Sequence, residues 1–164
     1  MATKTTTRFK TRIDIPENTR VQLVELLNQH LADLFDLYSQ TKQAHWNVRG
    51  IHFMPLHKLF DDLAAQLPEF TDMVAERANS LGGYAMGTAR MSAENSRLPE
   101  FPTDVVEGTE VVEVLADRWA KYATFAREAI AKAEELEDID TSDLFTEISR
   151  AADKSLWFIE AHLQ

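Results

Sequence analysis

Val21, Val24, Leu27, Leu31, Leu34, Phe35 and Tyr38 recur at intervals of three and four positions, the spacing that lines up one face of an α-helix. Pro16 suits the first turn of such a helix, and Arg49 and Gly50 suit its end. The pattern predicts a first helix from Pro16 to about Asn47. A second apolar pattern starts near Pro55 and runs through Leu56, Leu59, Phe60, Leu63, Leu67, Phe70, Met73 and Val74 to the Gly82-Gly83 stop. Pro68 interrupts it, and an interior proline removes one backbone hydrogen bond and kinks or breaks a helix. Two short helices or one bent helix fit this pattern, and we favour one bent helix. The stretch from Tyr84 to Thr103 holds Gly87, Pro99 and Pro102 and reads as a long crossover with one short helix around Ala89 to Ser96. A third long helix is expected from about Thr109 to Leu136, with Val112, Leu115, Trp119, Tyr122 and Phe125 or Ala126 facing the core. A fourth is expected from about Ser142, a candidate cap, to Leu163 through Phe145, Ile148, Ala152, Leu156 and Ile159. The fold class is all-α: a four-helix bundle whose first pair is antiparallel and whose second and third helices are joined by the crossover.

Length and composition narrow this only a little further. A chain of 164 residues suits one domain with one substantial core. No apolar run approaches the roughly 20 residues that span a bilayer, and the basic start lacks the apolar stretch of a signal peptide. No membrane partner and a cytoplasmic location are therefore expected. Cys is absent, so a metal site would have to use carboxylate and imidazole. Charge changes the picture more. The net charge is −10, but Lys4, Arg8, Lys10 and Arg12 fall in the first twelve residues with no acid among them. The other 13 basic residues face all 27 acids, which leaves the rest of the chain at −14. We expect a mobile basic tail over 1–15 and a bundle over 16–164, with an acidic body that attracts cations and is a poor nucleic-acid surface.

The second helix carries His57, Asp61, Asp72 and Glu76, two pairs each spaced i, i+4. At 3.6 residues per turn all four fall within a stripe about 100° wide. A solvated polar face would look the same. Asp61 and Asp72 are, however, about 16 Å apart along a straight helix, so one chain cannot wrap both pairs around one ion. Two chains can. His57 and Glu76 are equidistant from a midpoint between positions 66 and 67, and so are Asp61 and Asp72. If the helix packs antiparallel against its own copy across a two-fold axis, His57 faces Glu76 of the second chain and Asp61 faces Asp72. Each of two symmetric clusters then holds one His and three carboxylates, and gathered carboxylates repel unless a proton or cation sits between them. His45 lies just before the loop that leads to His57 and could complete the cluster, or it could be an ordinary helix-end residue.

The run Thr41-Lys42-Gln43-Ala44-His45-Trp46-Asn47-Val48-Arg49-Gly50 is followed by His57, Asp61, Asp72, Ala75-Glu76-Arg77 and Leu81-Gly82-Gly83. It resembles the signature of the Dps family, the ferritin-like mini-ferritins, and the likeness extends from about residue 20 to Asp153-Lys154 and Leu156-Trp157-Phe158-Ile159. The resemblance implies a hollow homo-dodecamer that oxidises Fe(II) at a dinuclear iron site shared across a two-fold interface and stores the ferric product. Carried over residue by residue, Asp72 and Glu76 of one subunit bind iron with His45 of the other. His57 and Asp61 of that other subunit support or complete a second, weaker position. Hydrogen peroxide is the expected oxidant, with oxygen as the other, because two ferrous ions together supply the two electrons that take peroxide to water. Trp46, beside His45, is a candidate radical trap, with interface packing as its default role.

Glu134, Glu135, Glu137, Asp138, Asp140 and Asp143 crowd the turn before the fourth helix. They could be a solvated turn. In Dps-like shells this region resembles the lining of three-fold pores, so Asp143 first, then Asp140 and Asp138, are candidate pore acids that draw Fe(II) inward. The basic residues Lys4, Arg8, Lys10 and Arg12, repeated around a shell, would allow nonspecific, salt-sensitive DNA binding and a nucleoid-associated location. A nucleoid-compacting protein with secondary iron handling is the alternative function, and a helical oligomer with no chemistry is a second one.

Overall fold

The computed structural model describes residues 7–164, and Lys4 lies outside the described residues. Helix α1 spans Glu17–Asn47, with Pro16 immediately before it. After a short loop come α2, Phe53–Ala65, and α3, Leu67–Ser80, then the short α4, Ala89–Asn95, within the crossover. Helix α5, Gly108–Glu135, and α6, Ile139–Glu160, follow, and a 3₁₀ turn over Ala161–Leu163 ends the chain. No strand forms among the described residues. The architecture is the four-helix bundle with a long crossover: α1 packs against α2 and α3, and α5 against α6.

Each long helix buries the stripe that its spacing marks. Val24, Leu27, Leu31 and Leu34 of α1 are buried, as are Phe60 and Leu63 of α2 and Leu115, Trp119 and Tyr122 of α5. Phe145, Ile148 and Ile159 of α6 join them in one core. Burying a Leu, Ile or Phe contributes about 1.5–3 kcal/mol, so these stripes, more than helix propensity, hold the helices in place. Phe35 and Tyr38 of α1 remain half-buried. They line a groove of about 540 Å³ together with Pro68, Asp72 and Gly87.

At Pro68 the helix divides into two segments separated only by Gln66. Gln66 itself keeps helical torsions, φ −80° and ψ −24°, so the break leaves the backbone in the helical region. The Gln66 side chain donates to the Leu63 carbonyl at 3.2 Å and to the Ser155 hydroxyl of α6 at 2.9 Å. The break is thereby tied to α6.

One expectation is corrected. Helix α6 begins at Ile139, three residues before the expected cap at Ser142. Glu137 takes a left-handed conformation, φ 57°, that ends α5, and Asp138 becomes the residue flanking the new helix. Ser142 is buried inside its first turn, with its amide donating to the Asp138 carbonyl. Ser and Asp both favour helix starts, so pattern alone did not separate them. Residues 7–15 lie against the body. The Arg8 and Phe9 amides both donate to the Gly82 carbonyl, at 2.7 and 2.9 Å, and Ile13 and Ile15 pack on the core. Gly82 makes this approach feasible: its φ is +87°, and a Cβ there would stand 2.6 Å from the Phe9 carbonyl oxygen.

The crossover is anchored by an ion pair between a partly exposed Arg97 and a buried Asp33. Arg97 donates through Nε and Nη2 to Asp33 Oδ2, at 2.9 and 2.6 Å, and through its amide to Oδ1. Asp33 is fully buried.

Candidate metal centre

His45 sits in the last turn of α1 and His57 in the second turn of α2, and the two imidazoles lock each other. His45 Nδ1 lies 2.6 Å from the His57 carbonyl, and His57 Nδ1 lies 2.7 Å from the His45 carbonyl. A carbonyl oxygen can only accept, so each Nδ1 carries a hydrogen, and a ring that carries only that one has its lone pair on Nε2. The rings stack with centroids 3.8 Å apart and planes 19° from parallel. Phe53 stacks on His57 at 5.0 Å. A histidine ligand is oriented in this way when its second nitrogen donates to a carbonyl.

Asp61, one turn after His57, points to the same place. Its Oδ1 lies 4.0 Å from His45 Nε2 and 2.6 Å from the Lys42 ammonium. The hydrogen bond from Lys42 is the main reason its carboxyl titrates below the usual carboxylate range, with the positive charge of Lys42 adding to it. Lys42 was part of the quoted run but carried no assigned role, because a contact 19 residues along the chain has no local signature. Trp46 is 59% exposed, with the Lys42 ammonium 5.8 Å from its ring centre.

Asp72 and Glu76 lie exposed, one turn apart, on α3 beyond Pro68. The chain thus brings together His45, His57 and Asp61 and leaves Asp72 and Glu76 as a separate pair. Among the described residues, no three His, Asp or Glu side chains of one chain are placed to hold a metal ion. Two open imidazole nitrogens beside a carboxylate suit Fe(II), Zn(II) or Co(II) as part of a donor set, and the unpaired acids Asp72 and Glu76 are the type of donor that would complete it.

The turn acids separate into two groups. Asp138 is buried, and both its oxygens accept from Arg77 Nη2 at 2.8 Å. Burial would raise its carboxyl, but the Thr141 hydroxyl and the Arg77 guanidinium outweigh it and hold it below the usual value. Asp138 is therefore committed to an internal ion pair. Asp140 and Asp143 are exposed, and Asp140 reaches the same guanidinium only at 3.9 Å. At the N-terminal end, Arg8 lies over the Tyr84 ring, 4.3 Å from its centre, while Lys10 and Arg12 are exposed.

The bundle order and this imidazole–carboxylate surface define the chain first as a ferritin-like protein: residues 24–164 match the model of the ferritin-like domain. The DNA protection during starvation protein of Agrobacterium fabrum is 40% identical over 155 residues, covering 94% of this chain and 96% of that protein. DpsC from Streptomyces coelicolor superposes with a TM-score of 0.91 at 32% identity, covering 100% of this chain and 96% of its own. The Dps protein from Vibrio cholerae O1, described as a member of a broad superfamily of ferritin-like diiron-carboxylate proteins, superposes with a TM-score of 0.87 at 26% identity over 100% of this chain and 99% of its own. The chain belongs to the Dps family of ferritin-like proteins. Among the described residues no helix is long and apolar enough to cross a membrane.

Proposed function

We propose that this chain is a ferroxidase and iron-storage subunit: it oxidises Fe(II), preferably with hydrogen peroxide, at a dinuclear site shared between two subunits, and it retains the ferric product inside a homo-dodecameric shell. One observation carries this reading. The reciprocal bonds between His45 and His57 leave both Nε2 atoms without a hydrogen-bond partner among the described residues, beside Asp61, while Asp72 and Glu76 have no ion-pair partner among the described residues and stand at symmetry-related positions on the same face. Across a two-fold axis at the midpoint between residues 66 and 67, His45, His57 and Asp61 of one subunit meet the partner subunit's Asp72 and Glu76. Iron is the substrate here. One ferrous ion binds His45 with the partner subunit's Asp72 and Glu76. A second binds more weakly near His57 and Asp61, because Lys42 already neutralises Asp61.

The pairing of two ions fits the chemistry of the oxidant. Hydrogen peroxide takes up two electrons and two protons to give two waters, and two ferrous ions supply one electron each. A single ferrous ion would supply one electron and release hydroxyl radical. Trp46, exposed beside His45, is placed to intercept such a radical. Asp140 and Asp143 are free to line an entry pore, whereas Asp138 is held by Arg77. The acidic body would draw cations toward such a pore. The alternative, nonspecific DNA compaction through the N-terminus, draws support from the names of the relatives and from exposed Lys10 and Arg12. It is the weaker reading, because the rest of the chain is strongly acidic and phosphate contacts of this kind weaken steeply with salt.

The test is anaerobic loading with Fe(II), followed by hydrogen peroxide or oxygen in parallel, with ferric absorbance and hydroxyl radical followed for the wild type and for Asp72→Ala/Glu76→Ala. Rapid, radical-poor oxidation by peroxide that the double substitution abolishes is expected. Equal behaviour of the two proteins, no faster than iron in buffer, would overturn the site and leave the shell or DNA as the function.

A further inference from the structure

We propose that Pro68 is a positioning residue of the shared site: the bend it imposes lies on the two-fold axis and sets the gap that the ligands of two subunits must bridge. The proposal rests on the shared-site reading above, which puts the axis between residues 66 and 67. The break between α2 and α3 falls at the same point, with Gln66 the single residue between them, and a proline two residues on is the usual cause of a kink there. Pro68 and Ala65 are equidistant from that midpoint, and both are exposed. On a helical projection both fall within the stripe that holds His57, Asp61, Asp72 and Glu76. In the dimer Pro68 therefore faces the partner subunit's Ala65 at the closest approach of the two helices.

A proline ring pushes away the carbonyl four residues before it, here Ala64, and so opens the helix on its own face. That face is the one turned to the partner. Each bent helix is then convex at the axis, and its two arms diverge from those of the second chain on both sides, where the ligands are. Asp61 and Asp72 lie about 8 Å from the axis along the helix, and His57 and Glu76 about 14 Å. A proline kink of about 20° tilts each arm by about 10°. The inner ligands then move by about 1.4 Å and the outer ones by about 2.5 Å, whereas ligand distances at a metal are set to about 0.2 Å. The bend is a lever much longer than the tolerance of the site. It is also braced, since Gln66 bonds both Leu63 of its own helix and Ser155 of α6. A bend needed only to relieve the proline would have no use for the tie to α6.

The experiment titrates Co(II), a redox-stable probe, into the assembled protein and reads affinity by calorimetry and coordination by visible absorption, for the wild type, Pro68→Ala and Asp72→Asn. Sedimentation and thermal unfolding are run on each. Pro68→Ala is expected to sediment like the wild type and unfold no earlier, yet to bind Co(II) about 10- to 100-fold more weakly, with an altered spectrum. Gln66→Leu, which keeps the proline but unties the bend, is expected to weaken binding by a smaller factor. Wild-type affinity and spectrum in Pro68→Ala, with binding lost in Asp72→Asn, would sink the role of Pro68 and leave the shared site standing. Undiminished binding in Asp72→Asn would sink the shared-site reading itself. A Pro68→Ala chain that no longer assembles would assign Pro68 to assembly and overturn the proposal as stated.

Discussion

Two regions of this molecule use nearly the same residue types to opposite ends. In the bundle interior His30 and Asp33 stand one turn apart on α1, and the partly exposed Arg97 reaches both from the crossover. Its guanidinium holds Asp33 at 2.6 Å and lies 3.4 Å from His30 Nε2. At the α1–α2 surface His45, His57 and Asp61 are grouped around Lys42, which reaches only the carboxylate. The interior imidazole has its Nε2 directed at a cation, while both surface imidazoles have theirs open. Binding capacity follows from which atoms the fold leaves unsatisfied, and the residue types alone do not decide it.

The largest effect is expected from removing the Arg97 guanidinium. Arg97→Ala would leave the buried Asp33 without its cation, with only the amide of residue 97 and Gln29 as donors, and stripping the cation from a buried carboxylate costs about 3–5 kcal/mol. Chemical denaturation should show a loss of that size. Co(II) affinity at the surface site should stay unchanged while the protein is folded. A stability loss below about 1 kcal/mol would show that Asp33 is readily neutralised or solvated, and the contrast between the regions would weaken.

A second effect separates the regions by pH. Burial, with the charge of Arg97 adding to it, pushes His30 down from 6.5 to about 3. The folded protein then binds fewer protons at this site than the unfolded chain between those values. Stability from His30 is fully present above about pH 6.5 and is lost as pH falls toward 3. About 3 kcal/mol should disappear between pH 7 and pH 4 on this account. Urea midpoints measured across that range should fall less steeply in His30→Leu than in the wild type. Parallel curves would show that other groups govern the acid limb.

The two regions also differ in how much of them the sequence discloses. The α1 and α5 stripes are legible because burial repeats every three or four positions, and His57, Asp61, Asp72 and Glu76 share one face for the same reason. Their symmetry about one midpoint is visible in the numbering, and so is the position of Pro68 close to it. The locking of His45 with His57 is not legible, since it depends on two side chains reaching each other's backbone across a turn. The Arg97–Asp33 pair spans 64 residues, and nothing local at either position marks it. The docking of residues 7–15 on Gly82 was equally hidden, because hydrogen bonds from a basic, Thr-rich segment leave no periodic trace. The start of α6 was misplaced because the left-handed turn falls on Glu137, a residue with no preference for that conformation.

The smallest effect bears on the surface cation alone. Lys42 holds a half-exposed Asp61, and such pairs contribute less than about 1 kcal/mol to folding. Lys42→Met should therefore leave the denaturation midpoint nearly unchanged. Its effect on metal should run the other way from that of Arg97, because the ammonium competes with any cation for Asp61 Oδ1. Removing it frees that oxygen and lets the carboxyl titrate closer to its ordinary range. The weaker of two Co(II) affinities should then rise by about fivefold, the equivalent of about 1 kcal/mol, with the tighter one unchanged. A fall in both affinities would mean that Lys42 orders Asp61 for binding instead of competing for it. Lys42 would then resemble Arg97 in role, as a fixture of the site, and only the carboxylate each holds, 54% exposed for Asp61 against 0% for Asp33, would distinguish the two regions.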